Sequence, residues 1–174
     1  MEIIGDVSSL AFGGKGVVRV EGLVVFVPFT SPGERIRARI TKQHKRFAEG
    51  ELVEILAPSP LRVAAPCPYF GRCGGCQLQH LGYEEQLKQK QNFVTDALQR
   101  IGKIDLDSPI PIVPANPIWG YRRHVHLSLE VFEGHYRAGY ICIDGSTHLP
   151  ITQCPIFMLA KLDLLQIVSD LIPV

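Results

Sequence analysis

The stretch at residues 13–40, GGKGVVRVEGLVVFVPFTSPGERIRARI, decides the fold of the N-terminal part of this chain. Two valine-rich runs flank the Glu21-Gly22 pair, which is typical of a tight turn, so they predict a β-hairpin. A second turn at residues 31–33 leads into a strand in which Arg alternates with apolar residues. With a last strand expected at residues 51–56, the four or five short strands within residues 1–57 predict a small closed β-barrel.

A basic segment begins in the same stretch. Residues 35–46, RIRARITKQHKR, contain six Lys or Arg residues and no acid. The three arginines at alternate positions share one side of a strand, and guanidinium groups in a row suit phosphate binding. The other interpretation is a solvated surface, because charged runs usually only face water. The candidate nucleic-acid contacts in this segment are Arg35, Arg37, Arg39, Lys42, Lys45 and Arg46.

The composition is that of a globular protein, with 174 residues of which 46% are hydrophobic and 20% charged. This length suits one ordinary domain or two small ones. No apolar run reaches the length of a membrane span, and the N-terminus does not have the pattern of a secretory signal. Five cysteines without an export signal indicate a reducing compartment. We therefore expect a cytoplasmic monomer with no membrane partner.

Cysteines form the most specific chemical pattern. Cys67, Cys73 and Cys76 lie close together in CPYFGRCGGC, and Cys154 lies far downstream in QCPI. A zinc tetrathiolate and an iron–sulfur cluster both need four thiolates, so the spacing leaves both open. The remaining cysteine, Cys142, is interpreted as a small buried residue.

Two glycines favour the cluster over zinc. Gly74 and Gly75 let the backbone approach a bulky sulfur-rich group, and their N–H groups can point at its sulfurs. A third interpretation, buried cysteines that bind nothing, fits poorly because three cysteines in a glycine-rich loop make a poor core.

The rest of the chain predicts helices and a second hairpin. Apolar residues at a three-to-four spacing predict a helix over residues 83–101 that is capped by Gly102. Alternation over residues 121–132 predicts a strand that turns at Glu133-Gly134 and returns over residues 136–143. Another helix is expected over residues 158–171. The apolar face of the first of these strands would comprise Val125, Leu127, Leu129 and Val131.

These elements predict a mainly β fold with α, of the α+β class, in three segments. They are a barrel at residues 1–57, a cysteine loop with its helix at residues 58–104, and part of a β-rich domain at residues 105–174. The sequence contains no nucleotide-binding fingerprint and no catalytic constellation, so no catalytic residue is assigned.

Two motifs together resemble the N-terminal part of the RNA (uracil-5-)-methyltransferases, in particular the 23S ribosomal RNA branch. The barrel stretch looks like a TRAM domain, an RNA-binding barrel of the OB type. CPYFGRCGGCQLQHL with the distant QCPI looks like the 4Fe–4S site of that family, and GYRRHVHLSL with GYICIDGSTHLPITQCPI resembles its β-rich central domain. The transfer-RNA enzymes that resemble this group are expected to lack the barrel and the cluster, which favours ribosomal RNA as the partner.

The resemblance implies specific roles for residues of this chain. The cluster ligands would be Cys67, Cys73, Cys76 and Cys154. The polar face of the second hairpin would help to hold unpaired RNA. His126 stands where relatives often have an Arg that faces RNA. The further candidate RNA contacts are therefore Arg122, Arg123 and His126.

The resemblance also implies what this chain does not contain. Members of the family continue into a domain that binds S-adenosylmethionine and supplies the catalytic cysteine and base, and those motifs do not occur here. We therefore expect these residues alone to be inactive, as a fragment or a truncated product. Two alternatives remain: a non-enzymatic RNA-binding module with a structural zinc site, and an electron-transfer protein that uses the cluster.

Overall fold

The computed structural model describes residues 1–158, and these divide into two units. The first unit combines Met1–Ala64 with Gln77–Pro114, and the second combines Ala65–Cys76 with the segment that begins at Ala115. The helix predicted at residues 158–171 lies outside the described residues, except for its first position. The three-segment division at 1–57, 58–104 and 105–174 stays a prediction.

A closed five-stranded barrel forms the greater part of the first unit. Neighbouring strands follow the order β1-β2-β3-β5-β4, and β1 pairs with β4 to close the ring. All pairs are antiparallel except β3 with β5, which run parallel. The predicted small barrel is therefore confirmed. Its strands are β1 Glu2–Leu10, β2 Gly16–Val20, β3 Leu23–Val27, β4 Arg35–Gln43 and β5 Phe47–Ala57.

The alternation read from the sequence explains the barrel core. Ile36 and Ala38 of β4 are fully buried, whereas the arginines that alternate with them face outward. Val18 and Val25 meet them from β2 and β3. The turn between β2 and β3 is the predicted Glu21-Gly22 pair, and both residues have positive φ, which is the requirement of a type I′ turn.

A buried carboxylate fastens the chain after the barrel to the barrel itself. Glu34 is fully buried; it accepts hydrogen bonds from the Ser31 backbone N–H at 2.8 Å and from Arg62, whose Nη2 lies 3.0 Å from Oε2. The same nitrogen of Arg62 donates to the Phe29 carbonyl oxygen at 2.7 Å. Burial by itself raises the pKa of Glu34, but the hydrogen bond and charge of Arg62 outweigh it and hold the pKa below its ordinary value. Residues 59–62 are thus tied to the β3–β4 connection.

One helix packs in the first unit. The helix α1 spans Tyr83–Asp96 and continues as a π-helical turn over Ala97–Ile101, close to the predicted bounds. Gly102 is the C-terminal cap, as predicted, and its backbone N–H donates to the Ala97 carbonyl oxygen; it keeps a right-handed conformation, and the left-handed residue is Lys103. No helix in residues 1–158 combines the length and apolarity needed to cross a bilayer.

The second unit contains a three-stranded antiparallel sheet in the order β6-β7-β8. Its strands are β6 Ser128–Phe132, β7 His135–Ile141 and β8 His148–Pro150. Glu133 and Gly134 both have positive φ and form the predicted turn between β6 and β7. The hairpin and the overall mainly β character are therefore confirmed.

The start of β6 differs from the prediction. The sequence predicts a strand from residue 121, but the Arg122 backbone pairs with Ile156, Phe157 and Met158 instead. Val125 and Leu127 pack against the core of the unit, whereas Leu129 and Val131 are exposed. The predicted apolar face is therefore divided, because the segment before Ser128 bonds to a distant part of the chain that its own sequence does not reveal.

Candidate functional site

The cysteine loop of the second unit is a series of tight turns fixed to the end of β7. The Cys73 backbone N–H donates to the Tyr69 carbonyl oxygen at 2.9 Å, and the Gly74 N–H donates to the Ile141 carbonyl oxygen at 3.1 Å. Cys73 and Cys142 form an isolated antiparallel bridge. A Cβ on Gly74 would lie 3.2 Å from the Ile141 carbonyl oxygen and 3.3 Å from that of Cys142, which is tighter than most Cβ contacts, so glycine suits this close approach.

Cys154 reaches the same place from the far end of the sequence. It is buried in a core cluster with Leu149, Ile151, Ile156 and Phe157, and Cys73, Cys76 and Cys142 pack against that cluster. Tyr140 donates its hydroxyl to the Cys154 sulfur at 3.8 Å. The structure therefore brings the loop and the distant QCPI segment into one apolar neighbourhood.

A tyrosine holds the two segments in register. The Tyr69 hydroxyl oxygen accepts a hydrogen bond from the Thr152 backbone N–H at 2.9 Å and lies 3.1 Å from the Thr152 hydroxyl. Because Tyr69 stands between Cys67 and Cys73, and Thr152 stands two residues before Cys154, this contact fixes the loop beside the segment that carries the fourth thiol.

The electrostatics of the thiols explain why the site suits a cation. All five cysteines are thiols, without a disulfide. Burial raises the pKa of the Cys73 thiol, and the neighbouring thiols of Cys67, Cys154 and Cys142 raise it further. Burial and the Cys154 sulfur also raise the pKa of Tyr140. Ionising the Cys73 thiol here without a positive centre is therefore costly, and a sulfur-binding metal or cluster would remove that cost.

The donor set fits a sulfur-ligated centre in its chemistry. Within the described residues 1–158, no group of three or more His, Cys, Asp or Glu side chains forms a ready-made site for a metal ion. What is present is Cys154 in an apolar core cluster against which Cys73 and Cys76 pack, with a Gly75 N–H that donates to the Cys73 sulfur at 3.4 Å. The assignment of Cys67, Cys73, Cys76 and Cys154 as ligands stays a prediction.

One residue beside the thiols was not anticipated. The sequence predicts a small buried residue at Cys142, but Cys142 is only half-buried and its backbone pairs with Cys73. The sequence signal that indicates this proximity is weak, because the pairing joins a loop to a strand end far downstream. Cys142 is thus a fifth thiol adjacent to the predicted ligands.

Of the β4 arginines, Arg35 and Arg39 are exposed and Arg37 is half-buried, and each has an acidic partner. Arg35 lies 3.4 Å from Asp6, and Arg37 lies 3.7 Å from Glu54. Arg39 lies 2.9 Å from Glu51 and 3.4 Å from Glu2. The register of β4 between β1 and β5 places these carboxylates opposite the arginines. The row of guanidinium groups is therefore largely neutralised on the free surface.

The other predicted RNA contacts lie on open surface. Lys42, Lys45 and Arg46 are exposed around the β4–β5 turn, and none of them forms an ion pair within residues 1–158. Arg122, Arg123 and His126 are exposed too, in the irregular segment before β6. The structure thus separates the predicted contacts into one group in each unit, and their role stays a prediction.

Comparison with known proteins finds that the chain is similar to a TRAM domain and to RNA methyltransferases. The TRAM domain family matches residues 4–53, which lie in the barrel. An uncharacterized RNA methyltransferase of Protochlamydia amoebophila is 48% identical over 156 residues, which cover 90% of this chain and 36% of that protein. The 23S rRNA (uracil(1939)-C(5))-methyltransferase RlmD of Acidithiobacillus ferrooxidans is 46% identical over 124 residues, which cover 71% of this chain and 28% of that protein. The chain thus spans about a third of the length of these relatives.

One similar solved structure is that of an enzyme named for transfer RNA. The tRNA (uracil-54, C5)-methyltransferase of Pyrococcus abyssi, in complex with S-adenosyl-L-homocysteine, matches with a TM-score of 0.59 and 28% identity. The match covers 88% of this chain and 32% of that protein, so it includes a large part of the barrel. The expectation that a barrel separates ribosomal-RNA enzymes from transfer-RNA enzymes is therefore not supported.

Proposed function

We propose that this chain, which is similar to RNA methyltransferases, is the RNA-binding part of an enzyme that methylates C5 of uracil with S-adenosylmethionine. The observation that carries the proposal is the closed barrel, matched by the TRAM domain family, in one chain with a cysteine loop whose Cys73 and Cys76 pack against the core cluster of Cys154. Ribosomal RNA is the proposed partner, since two relatives named as 23S rRNA methyltransferases are 46% and 34% identical to this chain, whereas the enzyme named for transfer RNA is 28% identical. We place methyl transfer itself outside these residues, so incubation with S-adenosylmethionine and ribosomal RNA should form no 5-methyluridine.

The barrel unit supplies the electrostatic part of RNA binding in this proposal. Exposed cations that lack a carboxylate partner release counterions most readily when they meet phosphate. Lys42, Lys45 and Arg46 satisfy this condition, and Arg35, Arg37 and Arg39 can join them once their carboxylate partners rotate away. Arg122, Arg123 and His126 offer a second set of contacts in the other unit.

The second unit supplies the cofactor site in this proposal. Cys67, Cys73, Cys76 and Cys154 would hold a 4Fe–4S cluster, which when bound supplies metal–thiolate bonds between the loop and the QCPI segment. Tyr69 orients the two segments through Thr152, and Tyr140 donates a hydrogen bond to the Cys154 sulfur. We place the protein in the reducing cytoplasm, because thiols persist there until they bind iron. We also propose that the protein is a monomer.

The salt dependence of RNA binding tests the proposal. We expect the 174-residue chain to bind a ribosomal RNA fragment with a logarithmic affinity that falls steeply with logarithmic salt. The double variant Lys42→Gln/Lys45→Gln should reduce that slope by roughly 1.4, or about 0.7 for each lost contact with single-stranded phosphate. The matched control is Lys88→Gln/Lys90→Gln, which removes the same charge from exposed positions of α1.

Two results would contradict the proposal. If the wild-type chain shows no affinity for RNA at low salt, the RNA-binding function is wrong. Equal slopes for the two double variants would show that the β4–β5 turn does not contact phosphate.

A further inference from the structure

A groove runs along the barrel unit between one side of the barrel and the end of α1. It has a volume of about 1190 Å³ and is lined by residues of β1, β2 and β3, the start of β5, and the α1 segment with the π-helical turn. All of these residues belong to the first unit. The volume exceeds that of ordinary small-molecule pockets, which suits a segment of polymer.

Aromatic rings line this groove, hereafter the aromatic groove. Phe12, in the turn after β1, is 86% exposed, and its ring lies edge-on to that of Phe93 of α1 with centroids 6.1 Å apart. A second edge-on pair joins Phe26 and Phe47 at 5.6 Å. Ile101 at the end of the π-helical turn is 83% exposed. Large apolar side chains clustered in a concavity and left open to water are typical of a binding surface.

The charge of the aromatic groove is strongly asymmetric. Its lining includes four cations and one carboxylate, Asp96, and that carboxylate already lies 3.4 Å from Arg100. Arg19, Arg46 and Lys103 form no ion pair within the described part of the chain. These three cations differ in this respect from the β4 arginines, each of which lies close to a carboxylate. An anionic ligand therefore finds unneutralised cations here and neutralised ones on β4.

We propose that the aromatic groove binds an unpaired segment of RNA, with bases stacked on Phe12 and phosphates held by Arg19, Arg46 and Lys103. This inference rests on the proposed RNA-binding function and specifies both the place and the form of the RNA. Exposed aromatic rings beside cations are the combination that binds single strands, because every base offers a face for stacking and every linkage a phosphate. Bases in a duplex are already stacked on each other and cannot reach a ring in this way.

The test compares Phe12→Leu with wild type on an unstructured RNA of about 12 nucleotides and on a duplex of the same sequence. Phe12→Leu keeps apolar surface and removes the ring, so single-strand affinity should fall roughly fivefold or more, whereas weak duplex binding should not change. The matched control is Val113→Ala, since Val113 is 88% exposed in the same unit and does not line the groove. Phe12→Tyr keeps a ring and should retain wild-type affinity.

A second readout reports stacking directly. Phe12→Trp places an indole in the groove, and its fluorescence should be quenched by the single strand beyond any change from Trp119 in wild type. Lys103→Gln should lower the salt slope by roughly 0.7, and Lys88→Gln should not.

Each outcome decides between the two proposals. Loss of affinity for the single strand in Phe12→Leu, with quenching in Phe12→Trp, supports the aromatic groove. If wild type binds RNA while Phe12→Leu and Lys103→Gln bind as tightly, the groove is wrong and the RNA-binding function stands. Equal losses on single strand and duplex would also exclude base stacking. A wild-type chain that binds neither RNA overturns both proposals.

Discussion

Glu34 shows at the scale of one residue how the barrel unit tolerates a buried charge. Its carboxylate is matched by Arg62 and by a backbone N–H, so no part of it is left without a hydrogen-bond donor. Removing one member of such a pair leaves the other without its charge partner, which costs more than losing a surface pair. The contact therefore stabilises the connection between the barrel and the chain that follows it.

Replacing Glu34 should lower the stability of the barrel measurably. We expect Glu34→Gln to reduce the free energy of unfolding by about 2–4 kcal/mol, measured by urea denaturation at neutral pH. Glu54→Gln is the matched control, because it removes the same group from the exposed pair with Arg37 and should cost under about 1 kcal/mol. Equal losses in the two variants would contradict a special role for the buried pair.

The same residue predicts a dependence on pH. The pKa of Glu34 is lower in the folded barrel than its ordinary value of 4.5, so its stabilising contribution is complete above that value. The contribution should disappear as the pH falls through the folded-state pKa. In urea denaturation at a series of acidic pH values, the free energy of unfolding should therefore fall more steeply with falling pH in wild type than in Glu34→Gln. Parallel curves of unfolding free energy against pH would contradict this.

The turn between β2 and β3 illustrates the scale of a structural element. Gly22 has φ of +84°, and a Cβ there would meet no atom within 4 Å, so only backbone strain opposes a side chain. Gly22→Ala should cost about 1–2 kcal/mol of unfolding free energy. Gly22→Asn should cost less, since Asn tolerates the left-handed region.

The matched control for this turn is Gly82→Ala. Gly82 precedes α1 with φ of −56°, and its added Cβ would lie 4.0 Å from Val63. The free energy of unfolding of Gly82→Ala should therefore differ from that of wild type by less than about 0.5 kcal/mol. If thermal or urea denaturation gave the same loss for both alanine variants, the type I′ turn would not be the cause.

β4 allows a test of whether its paired arginines reach RNA. Glu51→Gln removes the closer partner of Arg39 and leaves the guanidinium with only the longer contact to Glu2. If Arg39 contacts phosphate, RNA affinity should rise and its salt slope should steepen in a binding titration. Glu84→Gln at the exposed start of α1 makes the same change in net charge and should have a smaller effect. Identical affinities in the two variants would remove Arg39 from the RNA site.

Sequence patterns predicted elements well where the cause is local. The alternation in β4 and the Glu21-Gly22 pair depend on neighbours within a few residues, so the barrel strands and their turn could be read directly. The carboxylates opposite the β4 arginines come from β1 and from β5, and register between distant strands is not encoded in either strand alone. The same reason explains why the aromatic groove, where Phe12 meets Phe93, has no signal in the linear sequence.

At the scale of the whole molecule, the distant cysteine is the most informative contact. The pattern of thiols predicted that Cys154 joins the loop, and the structure does bring Cys154 into the cluster that Cys73 and Cys76 pack against. What the pattern did not reveal is the pairing of Cys73 with Cys142 or the Tyr69 contact to Thr152, because both depend on the folded path of the second unit.

Iron analysis tests the cysteine assignment. After anaerobic purification we expect about four iron atoms and four acid-labile sulfides per chain. Cys154→Ala should lose most of this iron, and Cys142→Ala, the matched control beside Cys73, should keep it. About one zinc per chain without sulfide would favour a zinc site instead, and equal iron in both variants would remove Cys154 from the ligands.

The chain enters the second unit at Ala65, leaves it after Cys76 and returns to it at Ala115. During synthesis the ribosome must therefore add positions 77–153 before Cys154 appears, which takes several seconds at about 5–20 residues per second. The barrel strands are complete well before that moment. Cys67, Cys73 and Cys76 are then already present, but the segment that carries Cys154 is not yet synthesised. The cysteine site can consequently form only late in synthesis, and oxidants can most readily attack the three earlier thiols during this interval.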